Sequence, residues 1–190
     1  MEPFLATTPA KMSDSKSFFN LIQDKEIRKE FVSLREISTI EQATLYLDGQ
    51  IRSHFNLDNK NFFKLIRIVF SEDTESYNDT NSILVGLISL HDAGMMDQLL
   101  TGGFNQNLSF AIISQYRNKG IMTTALNMTL DAMYADTYNL VPALVKPENI
   151  ESAKVLKKCG FDEVSKSPMG SLFVRRLTMD EFQYKKIFGL

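Results

Sequence analysis

Arg117, Lys119 and Gly120 stand together between an apolar run, Leu108 to Ile113, and a stretch with helical spacing that starts at Ile121. Two cations and a glycine where a strand passes into a helix can hold a di- or triphosphate. The first N–H groups of a helix have no partners within it, and the macrodipole is positive there. Gly120 lets the backbone come close to an anion, and Arg117 and Lys119 add charge beside it. A strand-to-helix turn with a solvated basic pair accounts for the same residues, and one glycine does not decide between the two. Further along, Asn149 and Ser152 lie at one end of a helical stretch, where an amide and a hydroxyl can bond a peptide-like group. Asn149 is equally well placed to be that helix's N-cap.

These residues need a strand, a loop and two helices to place them. Leu108 to Ile113 reads as the strand. Leu126, Leu130 and Met133 recur on one face of a helix from Ile121 to Ala135. Leu140 to Val145 reads as the next strand, with Pro142 placing it at an edge or a locally unpaired position. Strand, helix and strand in that order imply a parallel pair with a right-handed crossover. Ile150 to Lys158 reads as a helix stopped by Gly160.

Upstream, Ser13 or Asp14 caps a helix running through Phe18, Phe19, Leu21, Ile22 and Ile27, with the charged residues from Asp24 to Glu30 as solvated surface. Ser38 and Glu41 form a capping box for a second helix that ends near His54. Glu2 to Thr8, Phe62 to Phe70 and Ser82 to Leu90 read as strands, and Ser71 to Asn81 and His91 to Asn105 as loops. Val164 to Lys166 and Ser171 to Leu177 make a closing hairpin, and Thr178 begins a last short helix.

A chain of 190 residues builds one domain with a sizeable core, and we take residues 1–190 as that domain. A net charge of -2 argues against a general binder of nucleic acid or of an anionic membrane. The single cysteine, Cys159, excludes an internal disulfide and a cysteine-built zinc site, and no metal is expected. Met1 to Lys11 holds no apolar run of signal-peptide length, and no segment approaches the roughly 20 apolar residues of a membrane span. The expectation is a soluble cytoplasmic protein.

The stretch from Arg117 resembles the acetyl-CoA-binding segment of the GNAT superfamily of N-acetyltransferases, Arg/Gln-x-x-Gly-x-Gly/Ala at a strand-to-helix junction. Arg117 and Gly120 match, while Met122 stands where the family has Gly or Ala and is expected to crowd the phosphates. Asn149, Ser152, Leu156, Gly160 and Phe161 match the family's second signature, Asn-x-x-Ser/Ala-x-x-x-Tyr/Leu-x-x-x-Gly-Phe. The separation of about 30 residues fits one helix and one strand. Together the motifs cover Ile83 to Phe161. The capped helix near Thr39 and the run Leu84-Val85-Gly86-x-Ile88 look like the subgroup of ribosomal-protein N-terminal acetyltransferases.

The resemblance implies an α/β (α+β) GNAT fold. Its mixed, mostly antiparallel central sheet of about six to seven strands is flanked by helices and splayed at the central parallel pair. It implies acetyl-CoA as donor, held by Ala111, Ile112 and Ile113 along the strand. Arg117, Asn118, Lys119, Gly120, Ile121, Met122 and Thr123 would hold the pyrophosphate, and Asn149 and Ser152 the pantetheine. The acceptor implied is a primary amine, of a protein N-terminus or a small molecule, acetylated by direct transfer. Homodimers are common among relatives.

No catalytic base is assigned. Relatives often carry a glutamate where this chain has Asn107, and His91 is the other candidate, assisting a water chain. Asn107, Leu156 and Met122 favour a second reading, a catalytically weak acyl-CoA-binding sensor or interaction protein of the same fold.

Overall fold

The structure, a computed structural model, describes residues 2–54, 61–70, 81–101, 103–133 and 140–177. Seven strands among them form two hydrogen-bonded sheets, one of four strands and one of three, and the ladder registers recorded are antiparallel. The chain divides into two compact units. The first comprises Met1–Leu90 and Ser109–Ala125, the second His91–Leu108 and Leu126–Leu190.

In the first unit β1 (Phe4–Pro9) pairs with β2 (Phe62–Val69), which pairs with β3 (Ser82–Asp92), and β4 (Gln106–Ile112) completes the order β1-β2-β3-β4. The helical layer is α1 (Ser15–Leu21), α2 (Lys25–Glu30) and α3 (Ile40–His54). Their core is aliphatic and aromatic. Phe18 stacks on Tyr46 at 5.8 Å between centroids, and both meet Phe63 of β2 edge-on, at 5.9 and 6.0 Å.

The single helix expected through Ile27 is two. Asp24 adopts an extended backbone, and its Oδ1 accepts the N–H groups of Glu26 at 2.9 Å and Ile27 at 3.3 Å. A carboxylate that caps a new helix ends the old one. The cap of α3 lies one residue later than expected. Thr39 Oγ1 accepts from Gln42 N–H at 3.2 Å, and Gln42 Oε1 accepts back from Thr39 N–H at 3.2 Å. Gln42 closes this box in place of Glu41 because it stands at the third helical position.

One charged group crosses this core. The β2–β3 register shifts between Ile66 and Arg67, and Arg67 is 1% exposed. Its Nη2 lies 2.7 Å from Asp14 Oδ1 and its Nε donates to Thr8 Oγ1 at 2.9 Å. A bulge re-aims side chains, and here an ion pair meets the inward guanidinium.

In the second unit β5 (Leu140–Val145), β7 (Gly170–Arg176) and β6 (Asp162–Ser167) lie in the order β5-β7-β6. β5 ends this order, so Pro142 sits in an edge strand of its sheet. The segment His91 to Asn105, expected as a loop, contains α4 (Met95–Thr101). α6 (Ile150–Lys158) ends on Gly160 at φ 75. Phe161 N–H reaches Leu156 C=O at 3.1 Å and Gly160 N–H reaches Lys157 C=O at 3.1 Å, the paired bonds of a Schellman ending.

α5 (Ile121–Met133) runs from the first unit into the second. Met122, Ala125, Leu126 and Leu130 are buried along it. Residues 71–80 of the loop expected over Ser71 to Asn81, and the final helix from residue 178, lie outside the described residues.

Candidate functional site

The segment expected to cradle a phosphate follows the end of β4. Ile113 N–H donates to Val85 C=O at 2.9 Å, so Ile113 faces β3. Backbone groups alternate sides along a strand, which turns those of Ile112 the other way. There the Ile112 carbonyl accepts Arg117 Nε at 3.2 Å. Of the three strand residues expected to free N–H groups for a ligand, Ile113 is therefore committed to the sheet, and the alternation leaves Ile112 pointing outward.

A 3-10 turn, Ser114–Tyr116, leads from the strand, and Arg117 after it is extended. Asn118 at φ 60 and Gly120 at φ 76 then turn the chain into α5. Thr124 N–H bonds Gly120 C=O at 3.0 Å, which makes Gly120 the residue before the helix. Glycine carries no side chain to cap the N–H groups of Ile121, Met122 and Thr123. A Cβ built on Gly120 meets nothing within 4 Å, so the approach is open. Asn118, Lys119 and Gly120 are exposed, and Lys119 Nζ lies 5.3 Å from the centre of the Tyr116 ring.

Met122 does not crowd this approach. Its side chain is 7% exposed, turned into the core, and only its backbone belongs to the first turn. Backbone donors on a helix start, an open glycine and two neighbouring cations suit an anionic phosphate group.

Two acidic residues at the start of α2, its N-cap Asp24 and Glu26, brace the loop. Asp24 Oδ2 lies 3.3 Å from Ser114 N and 3.5 Å from Ser114 Oγ. Arg117 Nη1 lies 3.3 Å from Glu26 Oε2. Reading Asp24 and Glu26 as solvated charge missed both contacts, because some ninety residues of chain separate the partners. An Asp that can cap, followed by an acidic residue in the first turn, is nonetheless a helix-start signal that Asp24 and Glu26 carry. Beside the brace lies a cleft of 610 Å³ whose lining includes Ser17, Asn20, Asp24, Ile83, Ser114 and Gln115.

In the second unit Asn149 is the N-cap of α6, its Oδ1 accepting from Ser152 N–H at 3.1 Å. Both residues of the second motif therefore meet at one helix start. Leu156 is fully buried. Asn107 is buried, and its Oδ1 accepts Leu144 N–H at 2.9 Å. His91, near the end of β3, is half-buried. Burial holds its pKa below the usual histidine value, against an upward pull from Asp97 and Asp92.

A family model for the acetyltransferase (GNAT) domain matches residues 5–162. The chain belongs to the GNAT family. This GNAT acetyltransferase also shares its fold with solved members across nearly its whole length. RimL, a ribosomal L7/L12 alpha-N-protein acetyltransferase solved with coenzyme A, is 12% identical with a TM-score of 0.68, covering 93% of this chain and 96% of its own. The microcin C7 self-immunity acetyltransferase MccE, solved with acetyl-CoA and AMP, is 12% identical with a TM-score of 0.64, covering 90% and 92%. The ribosomal-protein-S5-alanine acetyltransferase of Vibrio fischeri is 18% identical with a TM-score of 0.63, covering 94% and 98%. No curated protein matches the chain in sequence. The fold is thus the mixed α/β arrangement that the motifs implied, with a likeness to the ribosomal-protein acetyltransferases.

Proposed function

We propose that this GNAT acetyltransferase binds acetyl-CoA on the cradle and passes the acetyl group directly to a primary amine, of a protein N-terminus or a small molecule. The reading rests on one observation above all. Gly120, open and at φ 76, starts α5 directly beside Arg117 and Lys119. The pyrophosphate would take the N–H groups from Asn118 to Thr123, and Ile112 would offer its outward backbone to the pantetheine arm. The ribosomal-protein acetyltransferases among the structural neighbours support a peptide amine as acceptor.

Acetyl transfer needs a neutral amine. For that task, taking the amine's proton through water, His91 is the candidate. Asn107 is not assigned one, since its carbonyl oxygen is already bonded to the backbone of β5. The test is turnover. Incubation with acetyl-CoA and peptides of varied N-terminal residue should release coenzyme A and add an acetyl mass to the peptide α-amine.

A second reading has its own observation. Leu156 is fully buried and cannot donate a proton to a departing thiolate. Tight binding of acetyl-CoA without turnover on any amine would favour an acyl-CoA-binding sensor.

A further inference from the structure

Arg117 is not idle in this structure. Its Nε is fixed on the Ile112 carbonyl at 3.2 Å and its Nη1 faces Glu26 Oε2 at 3.3 Å. The side chains are 36% and 26% exposed, so an incoming ligand can reach the pair. Glu26 stands in the first turn of α2, whose start Asp24 caps while also holding Ser114. The carboxylate is thus carried on an element that is itself fastened to the loop.

We propose that Glu26 is an affinity-setting residue that competes with the donor's phosphates for Arg117. A guanidinium binds carboxylate and phosphate through the same planar fork of donors. A diphosphate arriving at the cradle must draw Arg117 from Glu26 and accept a negative charge nearby. Both effects weaken binding, and they weaken acetyl-CoA and free coenzyme A alike because the two share that diphosphate. Glu26 therefore lowers affinity for the donor and the spent carrier alike. This inference rests on the proposed placement of the diphosphate beside Arg117.

The sign of one substitution separates this from a purely structural brace. Glu26→Gln keeps the shape and loses the charge. In calorimetric titrations it should tighten both acetyl-CoA and coenzyme A by about three- to five-fold, the scale of a partly exposed charge pair. Arg117→Gln should weaken both ligands by about ten-fold, the scale of a charge-assisted bond. Adding Glu26→Gln to Arg117→Gln should then recover less than Glu26→Gln gains alone. Thermal melts identify any variant that fails to fold, and Glu26→Asp, which keeps the charge, should stay near the wild type. Weaker or unchanged binding in Glu26→Gln, with Arg117→Gln still impaired, overturns the competition alone. Unchanged binding in Arg117→Gln overturns the placement of the diphosphate, and the competition with it.

Discussion

Asn107 on β4 accepts the backbone N–H of Leu144 on β5 through its side-chain oxygen, at 2.9 Å. β4 belongs to the four-stranded sheet and β5 to the three-stranded one. A carboxamide does the work of a strand neighbour. Asn107→Ala leaves a backbone donor without its acceptor and should cost about 1–3 kcal/mol in urea unfolding. Asn107→Asp, which keeps an acceptor, should cost less. Equal losses would mean that the bond is not what Asn107 contributes.

Gly86 marks how closely β3 and β4 approach. A Cβ there would lie 2.5 Å from the Ala111 carbonyl oxygen and 3.2 Å from Ile112 Cα, both backbone atoms. Gly86→Ala must push the strands apart. It should destabilise the fold by about 1–3 kcal/mol, as overpacking does, and weaken acetyl-CoA binding, because Ile112 and the cradle hang on that strand. Full stability in the variant would contradict the packing described.

Asp14 and Arg67 are both almost fully buried and compensate each other's charge. Asp14→Ala should cost about 3–5 kcal/mol by chemical unfolding, the loss seen when one partner of a buried pair is removed. Replacing both, Asp14→Leu with Arg67→Met, should cost less than the two single changes added together. Additive losses would show that the pair is not coupled.

Cys159 is buried at the end of α6, and burial pushes its thiol from 9.0 up to about 11, against the pull of Arg175. A thiol whose folded pKa is raised stabilises the fold below the unfolded value. That contribution is lost as pH climbs from 9.0 towards about 11. The native protein at pH 8 should leave an aromatic disulfide reagent unreacted, and denaturant should release the thiol. Rapid reaction of the folded protein would contradict the burial.

The parts of the fold legible in the sequence were those whose ends carry their own chemistry. Asn149 and Gly160 bracket α6, Pro142 marks an edge strand, and Gly120 opens α5, all by local rules acting within a few residues. What escaped depended on distant partners. Nothing within a few residues of Arg67 marks it as buried, and its partners Asp14 and Thr8 lie more than fifty residues away. Asp24 and Glu26 read as solvated until the chain returns at Ser114 and Arg117. The fate of Met122 was illegible for a related reason. Its backbone lies in the first turn of α5, and only the helix's rotation decides that the side chain turns inward. α4 carries a helical signal, Met95 and Met96 four residues before Leu99 and Leu100, but in a run of only 7 residues that two glycines end, which reads as loop.

The most direct test of the account is calorimetric titration of the protein with acetyl-CoA, beside Gly120→Glu and Gly120→Ala. The φ of 76 makes either substitution strained, while the open space around Gly120 spares both a clash. Alanine therefore reports strain, and glutamate adds negative charge at the cradle. The account predicts micromolar binding in the wild type, reduced binding in the alanine variant and none in the glutamate variant, with all three folded. Absence of binding to the wild type, or binding that survives Gly120→Glu, would contradict the placement of the donor on this loop.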